Sequence, residues 1–176
     1  MWGVNEEAHA MSANATKLKV YCETSFWSYL TAKPSADPDR ALRQAYTLRW
    51  WNEVAAKCDI FVSGFVYDEA NLGDDDASAR RVEEIIKCNF AVYDAEEVAN
   101  LARKLREQHQ VFASQVTDAS HIAVAAVSMM DVLLTWNCKH MANIVELPKT
   151  VSIVTKSGYD CPLIITPQDF LEGLHV

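Results

Sequence analysis

Glycine and proline are scarce, five of each in 176 residues, which excludes collagen-like and linker-dominated architectures. Cysteine is as sparse: Cys22, Cys58, Cys88, Cys138 and Cys161 are scattered, odd in number and form no C-x-x-C pair. Neither a disulfide framework nor a thiolate zinc site is indicated, and each cysteine reads as a small apolar residue of a reducing compartment. Positive charge is deficient, with 16 Lys and Arg against 24 Asp and Glu for a net charge of −8. Such a chain cannot hold nucleic acid through its overall field, so an RNA or DNA substrate would need local basic residues or a bound cation. Long apolar runs are missing too. The longest, Ile122 to Val127, is far short of the roughly 20 residues that span a bilayer. The first seventeen residues hold Glu6, Glu7 and His9 without an apolar stretch, so no secretory signal is expected. The expectation is a soluble, cytoplasmic protein.

What is present is core material, since 50% of the residues are hydrophobic. One compact domain over 18–176 is expected, behind a polar extension over 1–17 in which Met11 is a candidate start. Leu18 to Cys22, Ile60 to Ser63 and Asp131 to Thr135 read as strong strands, Phe90 to Val92 as a minor one and Leu163 to Ile165 as a last one. Thr24 or Ser25 is expected to cap a helix running through Leu30. Further helices are expected from Pro38 to about Ala55, around Tyr67 to Ala70, from Ala77 to Lys87, from Ala95 to Gln108 and from Thr117 to Met130. Thr166-Pro167 reads as the cap of a terminal turn. Each strong strand is followed by helical sequence. That alternation predicts an α/β fold, a three-layer α/β/α sandwich with a mostly parallel central sheet.

In such sheets, sites form at the carboxyl ends of the strands. Glu23 directly follows the first strand, Glu69 lies six residues past Ser63, and Asn137 lies two past Thr135. Asp118 opens a helix that must run back to feed the next strand, so its first turn belongs to the same edge. Converging carboxylates repel one another and call for a cation. Oxygen ligands of this kind suit Mg²⁺ or Mn²⁺ and not zinc or copper. Taken singly, each has an ordinary reading: Asp118 as a helix cap, Glu23 and Glu69 as first-turn acids, Asn137 as a turn residue. Joint placement on one edge is what points to a site.

The segments Val20-Tyr21-Cys22-Glu23-Thr24-Ser25-Phe26-Trp27-Ser28-Tyr29-Leu30, Asp68-Glu69-Ala70, Asp118-Ala119-Ser120-His121-Ile122-Ala123 and Leu134-Thr135-Trp136-Asn137-Cys138-Lys139-His140 resemble, in order and spacing, the PIN-domain ribonucleases, particularly the VapC-like toxins. The closing Pro162 to Pro167 agrees as well. The resemblance covers about residues 18–172. It implies a central parallel sheet and Mg²⁺- or Mn²⁺-dependent hydrolysis of RNA, with Glu23, Glu69 and Asp118 as metal ligands and Asn137 completing the catalytic set. It further implies a cognate antitoxin and a homodimer as partners. Two positions depart from the family pattern: the first acid is Glu23 where aspartate is usual, and Asn137 stands where an acid is common. An amide carries no charge, so a second metal would bind more weakly.

Thr24, Ser25 and Lys139 are candidates for phosphate or water contacts beside these ligands, the first two also for helix capping. His140 sits next to Lys139 at the expected site mouth. His121 is expected to be a packed, hydrogen-bonded residue. Trp50 and Trp51, near Arg43 and Arg49, lie about 100° apart on a helix, so that one is expected in the core and the other at an interface, a reading favoured over a base-stacking surface. Against the endoribonuclease stands a second reading, a catalytically weak PIN module that binds RNA or a protein partner without cleavage. A phosphoacceptor receiver domain ranks well behind, because its acid pair and late lysine have no counterpart here.

Overall fold

A computed structural model describes residues 17–173. The extension expected over 1–17, with the start at Met11, lies outside the described residues except for Lys17. Five strands, β1 (Leu18–Cys22), β2 (Cys58–Val62), β3 (Asn89–Phe90), β4 (Val132–Leu134) and β5 (Leu163–Ile165), form one sheet in the order β3-β2-β1-β4-β5. Every neighbouring pair is parallel. Around it lie α1 (Thr24–Thr31), α2 (Pro38–Glu53), α3 (Gly64–Ala70), α4 (Asp75–Ile85), α5 (Ala95–Gln108), α6 (Val116–Val127), α7 (Leu147–Lys156) and α8 (Pro167–Gly173). Helices α1, α2, α4 and α8 pack in one group and α5, α6 and α7 in another, giving the three-layer sandwich expected. The sheet is wholly parallel.

The central strands show why. β4 is buried along its whole length, and β1 is buried from Val20 onward, as strands covered by helices on both faces must be. Beside β1 an aromatic cluster fills the layer. Phe26 meets Trp27 and Trp50 edge to face at 5.4 and 5.5 Å, Trp27 meets Trp51 at 5.6 Å, and Trp50 meets Phe170 at 5.8 Å. The tandem tryptophans therefore belong to the core and its margin: Trp50 is fully buried and Trp51 packs half-buried against it. Of the pair, only Trp51 keeps a partly exposed face. The exposed large apolar residues of α2 are Leu42 and Leu48.

Local chemistry sets the helix ends. Asp37, Asp74 and Asp94 each accept from a first-turn N–H of α2, α4 and α5, satisfying donors that the helix itself leaves free. Ser63, expected to end a strand, instead caps α3 through Val66 N–H. Helix α7 has no counterpart in the sequence reading. Its Thr150-Val151-Ser152-Ile153-Val154-Thr155 run is strand-prone by composition, and burial of Thr150, Ile153 and Val154 against the α5 side decides for helix.

Helix α6 ends three residues earlier than expected because the chain turns at Met129. Met129 N–H bonds Ala126 C=O at 3.1 Å, and Met130 N–H bonds Ala125 C=O at 2.9 Å. This is the paired-bond helix stop in which the residue after the cap adopts a left-handed conformation, normally glycine. Here Met129 takes φ +54° with its side chain 72% exposed. Replacing it loses no packing and removes a strain on the order of 1 kcal/mol. Met129→Gly is therefore expected to raise the melting temperature by roughly 2–4 °C, whereas Met129→Val should lower it; calorimetry of the two variants checks this.

Candidate active site

Strands β2 and β3 lie to one side of β1, and β4 and β5 to the other. The carboxyl ends of β1 and β4 thus flank the point where strand order reverses, the place where open α/β sheets leave a crevice. Glu23 follows β1 immediately and its N–H bonds the Leu134 carbonyl of β4 at 3.2 Å. Thr135, Trp136 and Asn137 follow β4. Glu69 lies on α3, and Asp118 is in the first turn of α6.

Hydrogen bonds join these residues along the rim. Glu23 is 4% exposed. One carboxylate oxygen accepts Ser25 N–H at 2.9 Å, and the other accepts the Ser25 hydroxyl. Glu23, not Thr24 or Ser25, is thus the N-cap of α1. Burial pushes its carboxyl above the ordinary glutamate range, with the nearby His121 and hydrogen bonds from Ser25 and Thr135 pulling the other way. Ser25 Oγ also receives Trp136 N–H at 2.8 Å, stitching α1 to the end of β4. Thr24 turns away from its own helix and donates to Glu69 Oε2 at 2.5 Å.

Glu69 Oε2 takes a second bond, from His121 Nε2 at 2.8 Å. Partial burial disfavours its charge, but the donors His121 and Thr24 outweigh burial and hold its carboxyl below the ordinary range. On the other flank, Asp118 Oδ2 accepts Asn137 Nδ2–H at 2.9 Å and His140 Nδ1–H at 2.8 Å. Asn137 N–H in turn donates to Thr135 Oγ1 at 2.8 Å, and its side-chain oxygen accepts His140 N–H at 3.1 Å. The bonds form two groups, Glu69 with Thr24 and His121, and Asp118 with Asn137 and His140, and between them Glu23 is tied through Ser25 to Trp136 after β4. His140, expected only at the mouth, is an immediate partner of Asp118. Lys139 is exposed, and its ammonium has no partner among the described residues.

Among the described residues no three Asp, Glu, His or Cys side chains form a group that could hold a metal ion. By chemistry the donors nonetheless fit a hard cation. Glu69 Oε1 and Asp118 Oδ1 accept no hydrogen bond among the described residues, each partner having settled on the other oxygen. Glu23 has both oxygens on Ser25 and would have to exchange those bonds to join them.

The two glutamates make opposite contributions to pH-dependent stability. Glu23 has its pKa raised by burial, so its native form binds the extra proton. Its ionised form destabilises the fold above the raised pKa, and the cost disappears as pH falls toward the ordinary value. Glu69 has its pKa lowered, so it stabilises the fold above the ordinary value and loses this as pH falls through the depressed one. Glutamine at position 23 can still accept Ser25 N–H and donate to Ser25 Oγ. In EDTA, Glu23→Gln is expected to melt above wild type at neutral pH and to converge on it near pH ~4. Glu69→Gln should melt below wild type at neutral pH, by roughly 2–4 °C per kcal/mol lost. Thermal melts across pH check both signs.

No protein-family model and no curated protein matches the chain in sequence. Its structure is similar to that of VapC20 from Mycobacterium tuberculosis, a sarcin–ricin loop cleaving toxin, with a TM-score of 0.54 and 18% sequence identity. The match covers 71% of this chain and 95% of that one. With five parallel strands in a 3-2-1-4-5 order and helices on both sides, the chain has a PIN-like α/β fold.

Proposed function

We propose that the chain is a metal-dependent endoribonuclease hydrolysing RNA phosphodiester bonds, the toxin of a type II toxin–antitoxin pair acting in the cytoplasm. The observation that supports this is the position of Glu23, Glu69, Asp118 and Asn137 at the strand-order reversal of a PIN-like fold, Glu69 held by Thr24 and Asp118 by Asn137. Glu69 and Asp118 would hold Mg²⁺ or Mn²⁺ through their free oxygens, and Glu23 would join on exchanging Ser25. A bound cation supplies an acidified water and neutralises charge on the phosphoryl group. Asn137 and His140 fix Asp118, while Thr24 fixes Glu69 and Ser25 fixes Glu23. Lys139 stands at the rim for a phosphate of the RNA. The domain takes in residues 18–176 behind the extension, and its partners are RNA, a cognate antitoxin protein and a second copy. No described helix is long and apolar enough to cross a membrane.

A second reading, a PIN module that binds RNA or protein without cutting, is favoured by one observation: both oxygens of Glu23 are taken by Ser25. The two readings part in a cleavage assay on a structured RNA pool in Mg²⁺ or Mn²⁺ with an EDTA control. Wild type is expected to cut in a metal-dependent manner. Glu23→Gln and Asp118→Asn should each lose on the order of 100-fold or more, as expected for removal of a main electrostatic contribution to a transition state. Calorimetric titration should also show Mn²⁺ binding weakened by Asp118→Asn. Equal cutting by wild type and Glu23→Gln would reduce Glu23 to a helix cap. No cutting of any RNA would favour the binding module.

The homodimer is tested separately. Exposed Leu42 and Leu48 on α2 supply apolar surface for a self-complementary patch. Light scattering is expected to give twice the chain mass, and a monomer at high concentration would refute the dimer.

A further inference from the structure

Beneath Glu69 lies a run of buried polar contacts that the rim alone does not require. Ser63, Tyr21 and His121 are 0%, 0% and 1% exposed. Ser63 Oγ is 2.7 Å from the Tyr21 hydroxyl, which is 2.8 Å from His121 Nδ1, and His121 Nε2 is 2.8 Å from Glu69 Oε2. Both ends of the run belong to one helix. Ser63 is the N-cap of α3, accepting Val66 N–H at 3.4 Å, and Glu69 is the sixth residue of α3. The bonds leave α3, cross β1 at Tyr21 and α6 at His121, and return to α3.

With His121 neutral, the chemistry of the partners fixes the protons. Ionised Glu69 can only accept, so His121 must carry hydrogen on Nε2. In the neutral imidazole Nδ1 is then a lone pair, which the Tyr21 hydroxyl must donate to. The Tyr21 oxygen is left to accept from Ser63, whose own oxygen accepts from Val66 N–H. Every donor points the same way around the ring, the arrangement in which successive bonds strengthen one another. Filling positions 21, 63 and 121 with apolar side chains would build a core without the desolvation of three polar groups. What the ring adds is a fixed Glu69. Two donors, His121 and Thr24, converge on Oε2, and Oε1 is left free.

We propose that Tyr21 and His121 are positioning residues that present Glu69 as a single-oxygen ligand to a hard divalent cation. Tyr21 acts by holding His121 in its Nε2–H form. The role rests on the metal-holding reading of the rim, and its own signature, the tautomer, is measured without metal. Outer partners that orient a ligand in this manner are worth about 10–100-fold in metal affinity.

The test uses the full chain at neutral pH, with ¹⁵N NMR of the histidine side chains and calorimetric titration with Mn²⁺. Wild-type His121 is expected as a single Nε2–H tautomer. Tyr21→Phe removes one oxygen and keeps the ring in the core, and it should populate both tautomers and weaken Mn²⁺ binding about tenfold or more. His121→Gln, whose amide N–H can stand in for Nε2–H, should bind better than His121→Leu. A wild-type Nδ1–H tautomer, or Tyr21→Phe with unchanged Mn²⁺ affinity, overturns the proposal. If wild type binds no Mn²⁺ at all, the metal reading of the rim fails, and with it the ligand part of the role. The tautomer comparison then still decides whether Tyr21 sets the state of His121: both forms in Tyr21→Phe sustain that step, and an unchanged single form refutes it.

Discussion

A carboxylate buried at the reversal point of a parallel sheet is the constraint around which the rest of this rim is arranged. Glu23 leaves β1 and enters α1 within one residue, so its side chain has no route to solvent and must be satisfied in place. Ser25 supplies that satisfaction with both its N–H and its hydroxyl, and the same hydroxyl receives Trp136 N–H from the end of β4. Between them, Thr24 is directed to Glu69 on α3. Three consecutive residues therefore tie together β1, α1, α3 and the loop after β4. Loosening any one of these contacts leaves a buried acceptor or donor unpaired, which costs about 1–3 kcal/mol.

The donors that serve the rim are neutral or weakly basic. Thr24, Ser25, Thr135, Asn137, His121 and His140 surround Glu23, Glu69 and Asp118. Among the described residues no Lys or Arg forms an ion pair with any of the three. The cations that do pair, Arg49, Lys87 and Arg103, spend their charge along their own helices. Hydrogen bonds from hydroxyls and an amide orient a carboxylate without cancelling its charge. The rim thus keeps a concentrated negative potential in a chain already carrying −8, and an external cation is the species that such a potential attracts most strongly.

Much of this was legible before any coordinates. Strand and helix order follow from apolar runs and caps, and the α5 boundaries agree residue for residue with the periodicity over Ala95 to Gln108. The edge residues could be named because a parallel sheet has only one carboxyl edge, and Asp118 joins it through the direction in which α6 must run. The contacts beneath them could not be read. Tyr21 looks like any alternating strand residue, and its hydroxyl acquires meaning only when α3 and α6 close over β1. The tryptophan pair divides as its separation of about 100° on a helix allows, Trp50 in the core and Trp51 half-buried at its margin, but composition does not say which of the two faces inward. Helix α7 escaped because β-branched residues carry the same apolar signal in either conformation.

Glutamate at position 23 serves as the N-cap of α1 while standing at the carboxyl end of β1. Its carboxylate bends back onto Ser25 two residues ahead. A side-chain cap of this kind contributes about 1 kcal/mol. Exchange of that cap for a contact with a bound cation would therefore oppose binding only weakly. Burial acts in the same sense, because the desolvation that raises the Glu23 pKa is a penalty on an uncompensated charge, and a cation among the three carboxylates would remove it. On the proposed reading, ligation would thus differ from capping by a small energy, and the hydrogen bonds of Ser25 would decide between them.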